Sequence, residues 1–203
     1  LDAYPRQMAR DTALLEEEGV ALLWAPPPEE VYPAGYATNI SVAGISEGLC
    51  GSDRPGHFDG VATVVCKLFN QMRPDSALFG EKDWQQLAVI RRMARDLDLT
   101  LPHVDRIIGV PIVREDDGLA MSSRNAYLSP AQRARAAALP RLMRETIARL
   151  IGGDPVENAL RRLQKELVEA GFDSVDYADL RRGADLQTTR EIGPDNRLFV
   201  AAR

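Results

Sequence analysis

The chain has 203 residues, 45% of them hydrophobic, and a formal net charge of −5. That length suits one large or two modest domains with a packed core; the acidic balance argues against broad capture of nucleic acid while allowing a local basic pocket, and no apolar run approaches the ~18 residues of a membrane-spanning helix. Cys50 and Cys66 lack C-x-x-C spacing, so neither a disulfide framework nor a zinc site is indicated, and buried thiols in a reducing, cytoplasmic compartment fit best.

The opening "LDAYPRQMARDTALLEEEG" has no initiator Met, no charged n-region and no apolar h-region, and reads as a chain in mid-course. Tyr4, Met8 and Leu15 share a helical face, with Gly19 as the stop. The run "VALLWA" at 20–25, apolar on both faces and ended by Pro26, Pro27 and Pro28, predicts a buried strand of a parallel sheet. Val61, Val64, Val65, Leu68 and Phe69 predict a helix from Phe58 to Met72, "DSALF" at 75–79 a short strand, Trp84 to Asp96 a helix, and Ile107 to Val110 a second strand. Alternating strand and helix imply an α/β fold with a doubly wound parallel sheet.

After Pro111 the character changes. Ser129-Pro130-Ala131-Gln132 reads as a capping box with Pro at the first helical position, opening a helix to about Leu150. Gly152-Gly153 breaks it, a further helix runs from Pro155 to Ala170, and "VDYADL" and "RLFVAA" read as strands of a small mixed layer. The pattern divides the chain into residues 1–111, a Rossmann-like domain, and residues 112–203, a smaller α+β domain.

Three stretches carry candidate chemistry. "FGEKDWQQ" at 79–86 joins a strand to a helix, where open α/β sheets bind ligands. Gly80 permits close backbone approach, Lys82 offers a point charge to a phosphate, and the helix start offers free N–H groups. Asp83 can accept from ribose hydroxyls, and Gln86, four residues after Lys82 on a helix, can present its amide to a polar substrate. The competing reading is a helix N-terminus whose Glu81 and Asp83 complement the dipole. "RPGHFDGV" at 54–61 places Arg54 and His57 on a turn ahead of a helix, either facing the same crevice or merely structural. His103 reads as structural. In "GLAMSSRNAYL" at 118–128, an Asp116-Asp117-Gly118 turn is followed by Ser122, Ser123 and Arg124, two hydroxyls and a forked cation of the kind that a triphosphate needs. Alone, that triplet equally suits a surface loop.

Together and in this order, "RPGHFDGVATVVCKLFNQMRPD", "FGEKDWQQL" and "GVPIVREDDGLAMSSRNAYLS", with "LDAYPR" at the start and "EVYPAG" at 30–35, resemble the pantothenate synthetases, the pantoate–beta-alanine ligases. The resemblance implies a Rossmann-like N-terminal domain of the nucleotidyltransferase superfamily, closed by a smaller C-terminal domain. It implies ATP- and Mg2+-dependent conversion of pantoate to a bound pantoyl adenylate, with release of pyrophosphate, followed by attack of beta-alanine to give pantothenate and AMP. It places Gly80, Glu81, Lys82, Asp83, Val113, Met121, Ser122, Ser123 and Arg124 on ATP, Val113 against the adenine, and Gln86 on pantoate. Lys82, Ser122, Ser123 and Arg124 become the catalytic set, with Met121 to Arg124 as the counterpart of the KMSKS phosphate loop; no residue is assigned as a metal ligand. Arg54 and His57 match family positions as site architecture. A cytoplasmic homodimer is implied, without nucleic-acid or membrane partners. The family also carries a P-T-M-G segment, a His-x-Gly-His motif and an N-P-x-Q-F stretch ahead of the position of Leu1, and a tail beyond Arg203. Two other readings compete: an inactive fragment or interaction module of this fold, and another nucleotidyltransferase such as a cytidylyltransferase, against which Gln86 and its context speak.

Overall fold

The computed structural model describes residues 7–203, which divide into two compact units between Thr38 and Asn39. In the first, α1 spans Met8–Glu17 and a short α2 spans Pro28–Val31. Gly19, at φ +73°, ends the α1 segment as expected; Tyr4 lies outside the described residues. Residues 20–25 form no strand, and Val20, Leu22, Leu23 and Trp24 are exposed. The prediction from apolar run length fails there because a strand exists only through its ladder, and no described strand pairs with this run.

The second unit is built on two cores. Helix α3 (Cys50–Asp53) leads through a turn to α4 (His57–Met72), then β1 (Ala77–Gly80), a 3-10 turn at Glu81–Asp83, α5 (Trp84–Asp96) and β2 (Ile107–Val110). Strands β1 and β2 pair in parallel, from Ala77 opposite Ile107 to Gly80 opposite Val110. As the pleat requires, alternate residues face opposite ways. Ala77, Phe79 and Ile107 pack on the helices, where Phe69 of α4 meets Phe79 edge-on at 6.2 Å between ring centroids. Leu78, Ile108 and Val110 are exposed. Phe58, Ala62, Cys66 and Phe69 give α4 its buried stripe, and Leu87, Ile90, Met93 and Ala94 do the same for α5. Cys66 is buried and Cys50 half-buried, both as free thiols.

The second core follows. Ser129 caps α6 (Pro130–Ala136) with the complete capping box: its Oγ accepts from Gln132 N, and the Gln132 side chain accepts from Ser129 N. The single helix expected to reach Leu150 is instead two, α6 and α7 (Ala138–Ile151), with a turn at Ala137. Pro140 explains the break: it has no N–H for the carbonyl of Ala136, and its ring crowds that carbonyl, so it is accommodated only in the first turn of a new helix. Gly153, at φ +97°, reverses the chain into α8 (Val156–Glu169). Helices α7 and α8 pack Leu142, Leu163 and Leu167 against Ala178 of β3 (Val175–Arg182), which pairs antiparallel with β4 (Asn196–Ala202).

Side-chain ties connect the two cores. The Trp84 indole N–H donates to the carbonyl of Gly183 at 2.9 Å, and the Arg197 guanidinium lies 3.3 Å from the Trp84 ring centroid. Arg197 also approaches Glu81 at 3.6 Å. Near α3, the Cys50 thiol and the Tyr177 hydroxyl are 2.9 Å apart, and burial first, then Cys50, pushes the tyrosine pKa far up, so it stays protonated.

Candidate active site

Strand β1 delivers its last residue, Gly80, to the sheet's carboxyl end, where a Cβ would meet nothing within 4 Å. Backbone there is open to a ligand. The next three residues form a 3-10 turn, and α5 begins only at Trp84, because Asp83 leaves the helical region at φ −98° and ψ 55°. The spacing argument that put Lys82 and Gln86 on one face of a continuous helix is therefore corrected; each is positioned separately. Lys82 is exposed, its Nζ 3.3 Å from Asp83 Oδ1. Glu81 turns its carboxylate back toward Arg197 and the backbone of Gly109, where an added Cβ would meet it at 3.0 Å.

The two consecutive glutamines differ. Gln86 is half-buried, whereas Gln85 is 6% exposed and its amide donates to the carbonyls of Ile45 at 3.1 Å and Gly48 at 2.7 Å. Gln85 thus pins the 45–48 loop to α5, a role that the sequence pattern did not reveal. Its Oε1 is buried without a partner.

The loop after β2 is a tight hairpin. Arg114 bridges Ala120, Glu115 N donates to Leu119 O, and Gly118 at φ +88° makes the turn that Asp116-Asp117-Gly118 predicted. Met121 N donates to Val113 O at 2.9 Å, which sets these two exposed apolar residues opposite one another on one rung. Arg133 of α6 clamps the hairpin from below, through Glu115 at 2.8 Å and Asp117 at 2.5 Å. Asn125 donates to Glu115 and to the carbonyl of Ala120. Bonding to Arg133 holds both carboxyls below their usual range, Asn125 adding to the effect at Glu115 and the Leu119 N–H at Asp117. Ser122 then caps a 3-10 turn over Ser123–Tyr127, accepting from Arg124 N at 3.3 Å. None of this clamp was legible locally, since Arg133 is 16 residues from Asp117.

His57 joins the pieces. It opens α4 behind Gly56, which sits at φ +75°. Burial lowers its pKa, the cations Arg54 and Arg124 lower it further, and Asp83 opposes them. One imidazole therefore feels charge from all three sequence stretches: the 54–57 turn, the strand-to-helix turn and the serine-arginine loop. His103 is elsewhere; its Nδ1 accepts from Asp105 N at 3.4 Å, capping a 3-10 turn as a structural histidine would.

The family model described as pantoate-beta-alanine ligase matches residues 1–203. The chain belongs to the pantoate-beta-alanine ligase family. A ligase relative named pantothenate synthetase, from Novosphingobium aromaticivorans, is 69% identical over all of this chain and 71% of its own length. Another of that name, from Sphingopyxis alaskensis, is 54% identical over 99% of this chain and 71% of its own. The crystal structure of pantothenate synthetase from Thermus thermophilus superposes with a TM-score of 0.91 at 45% identity, covering 99% of this chain and 72% of that one. A pantoate-beta-alanine ligase from Francisella tularensis, solved with beta-gamma ATP and beta-alanine, matches at a TM-score of 0.74 and 31% identity, over 86% of this chain and 62% of that one. The family fold is Rossmann-like α/β, here with its parallel pair and a small antiparallel sheet. The family match is to the ligase rather than to a cytidylyltransferase or another nucleotidyltransferase.

Proposed function

We propose that this chain condenses pantoate with beta-alanine at the expense of ATP, through a pantoyl adenylate, releasing AMP and pyrophosphate. What supports this beyond family membership is the setting of His57: burial, Arg54 and Arg124 lower its pKa and Asp83 opposes them, so charges from all three motifs act on one imidazole. In this reading the open backbone at Gly80 approaches the nucleotide, with Glu81 beside it, and Asp83 accepts from the ribose. Val113 and Met121 form an apolar rung for the adenine. Lys82, Ser122, Ser123 and Arg124 surround the phosphates, and Gln86 holds pantoate by its amide.

Attack of the pantoate carboxylate on the α-phosphorus breaks the bond to pyrophosphate, on which negative charge accumulates. A lysine point charge and a forked guanidinium stabilise that charge. The second step needs no covalent enzyme nucleophile, because the mixed anhydride is itself activated; the beta-alanine amine attacks its acyl carbon and AMP leaves. Depression of its pKa keeps His57 neutral near pH 7, so it adds no third cation to the pair.

Mg2+ belongs to the proposal through the nucleotide. Among the described residues no group of three or more His, Cys, Asp or Glu side chains could hold a metal, and a hard cation that keeps its waters and binds substrate phosphates needs no such cage. When bound it neutralises phosphate charge. A homodimer and a cytoplasmic location complete the reading; the two free thiols suit a reducing compartment. Pantoate-dependent exchange of labelled pyrophosphate into ATP tests the first half-reaction directly. Exchange that needs pantoate supports the assignment, and exchange indifferent to the acid refutes it. Light scattering gives the oligomer.

A further inference from the structure

A cavity of about 730 Å³ lies between α5 and the segments flanking β3 and β4; no residue assigned above to ATP or pantoate lines it, and its Arg197 approaches Glu81 at 3.6 Å. Its α5 wall is Trp84, Ala88, Arg91, Arg92 and Arg95. At about 100° per residue these share one face of the helix, and Gln86 points from roughly the opposite face. Arg197 of β4 supplies a fourth guanidinium across the cavity, against only two lining carboxylates, Asp185 and Asp195.

This cluster of four guanidinium groups stands on a chain of net charge −5. Several of the cations are already set in place. Arg91 Nε donates to the Ile107 carbonyl at 2.9 Å, and Arg197 is stacked on Trp84. Arg92 is braced by Asp96 at 2.7 Å, an exposed pair that an incoming anion can compete with. Asp185 is neutralised by Arg182 at 2.6 Å. Arg95 has no ion pair among the described residues. A volume in the range of small-molecule sites, about 300–1,000 Å³, ringed by planar forks that match phosphate oxygens in pairs, describes an anion receptor.

We propose that this cavity binds an organic phosphate bearing two or more phosphate groups, as a second site distinct from the catalytic one. Its walls come from both cores of the second unit, α5 on one side and the loops around Gly183 and Asp195 on the other. A ligand there bridges the two cores at the Trp84 tie, two residues from Lys82, and so bears on the placement of the catalytic turn.

Inorganic tripolyphosphate is the probe, titrated calorimetrically into the purified protein at fixed ionic strength. Both proposed phosphate-facing cations of the catalytic site are removed by Lys82→Ala with Arg124→Glu in one sample, and the cavity is altered by Arg92→Ala with Arg95→Ala in another. Both arginines are exposed on α5, and alanine is the better helix former, so folding is preserved and is checked by thermal melting. Binding that survives Lys82→Ala with Arg124→Glu and weakens by about tenfold or more without Arg92 and Arg95, as loss of two charge-assisted contacts implies, supports the site. Charge reversal by Arg95→Glu weakens it as well. No binding to the wild type, binding abolished by Lys82→Ala with Arg124→Glu, or an affinity unchanged without Arg92 and Arg95 each overturns it. Failure of the pantoate-exchange test leaves these outcomes unaffected, because the calorimetry does not depend on turnover.

Discussion

The two segments proposed to face phosphate are held by different physics. The turn after β1 is anchored in the core: Phe79 before it packs on Phe69, Leu87 after it is fully buried, and Gln85 is bonded to two backbone carbonyls. The serine-arginine loop hangs from a hairpin whose restraints are ionic and half-exposed, chiefly Arg133 with Glu115 and Asp117. Burial fixes position firmly, whereas exposed ion pairs are individually weak and screened by salt. One side of the proposed site is thus a wall anchored by burial and the other an arm held by ion pairs, a division suited to gripping a triphosphate and releasing pyrophosphate.

The largest expected effects test both sides at once. Lys82→Ala on the wall and Arg124→Ala on the arm should each slow pantoyl-adenylate formation by about a hundredfold to a thousandfold, the usual cost of removing a preorganised charge-stabilising group, with a smaller change in ATP affinity. Arg124→Lys should recover only part, since the ammonium lacks the fork. Single-turnover kinetics isolate this step from product release; wild-type rates would remove the residue concerned from the mechanism. Next comes Gln86→Ala, which should weaken pantoate use by about 1–3 kcal/mol, the cost of one buried polar contact, and leave ATP affinity nearly intact. Equal losses for both substrates would count against its assignment.

A smaller effect separates arm from wall. Arg133→Ala should slow adenylation by roughly tenfold through misplacement of the loop, and raising the salt should narrow the gap between variant and wild type because the clamp is screened. A salt-independent defect would mean that Arg133 acts otherwise. The smallest is a titration. The folded pKa of His57 lies below its ordinary value of 6.5 through burial, Arg54 and Arg124. Its neutral form therefore favours the fold fully above that ordinary value, and the contribution is lost as pH falls through the depressed folded pKa. Arg124→Ala should move the His57 pKa upward, as followed by NMR of the imidazole; an unmoved pKa would separate the arm from the 54–57 turn.

The sequence was most readable where a signal is local. The Ile107–Val110 strand, the capping box at Ser129 and the turn at Gly118 emerged as expected because each depends on neighbours within a few positions. The run at 20–25 misled because hydrophobicity says that a segment can be buried but not what pairs with it. Pro140 splits the helix predicted from the capping box, because a cap fixes where a helix starts and not how far it runs. Site residues were visible as types in motifs, yet the division of labour between Gln85 and Gln86 was not, since it depends on which carbonyls lie beneath α5. The arginine-lined cavity was illegible for the same reason: Arg197 is 102 positions from Arg95 and meets it only in the folded chain.

The Trp84 tie also makes the molecule its own optical gauge. Its indole is hydrogen-bonded to one core's backbone, covered by a guanidinium from β4 and rooted in the other core, while the chain's only other tryptophan is the exposed Trp24. With Trp24→Phe, and excitation selective for indole over the five tyrosines, emission comes from a single tryptophan at the junction. Any parting of the cores would bare that indole to water and shift its emission to the red, so movements during turnover could be timed without attaching a dye.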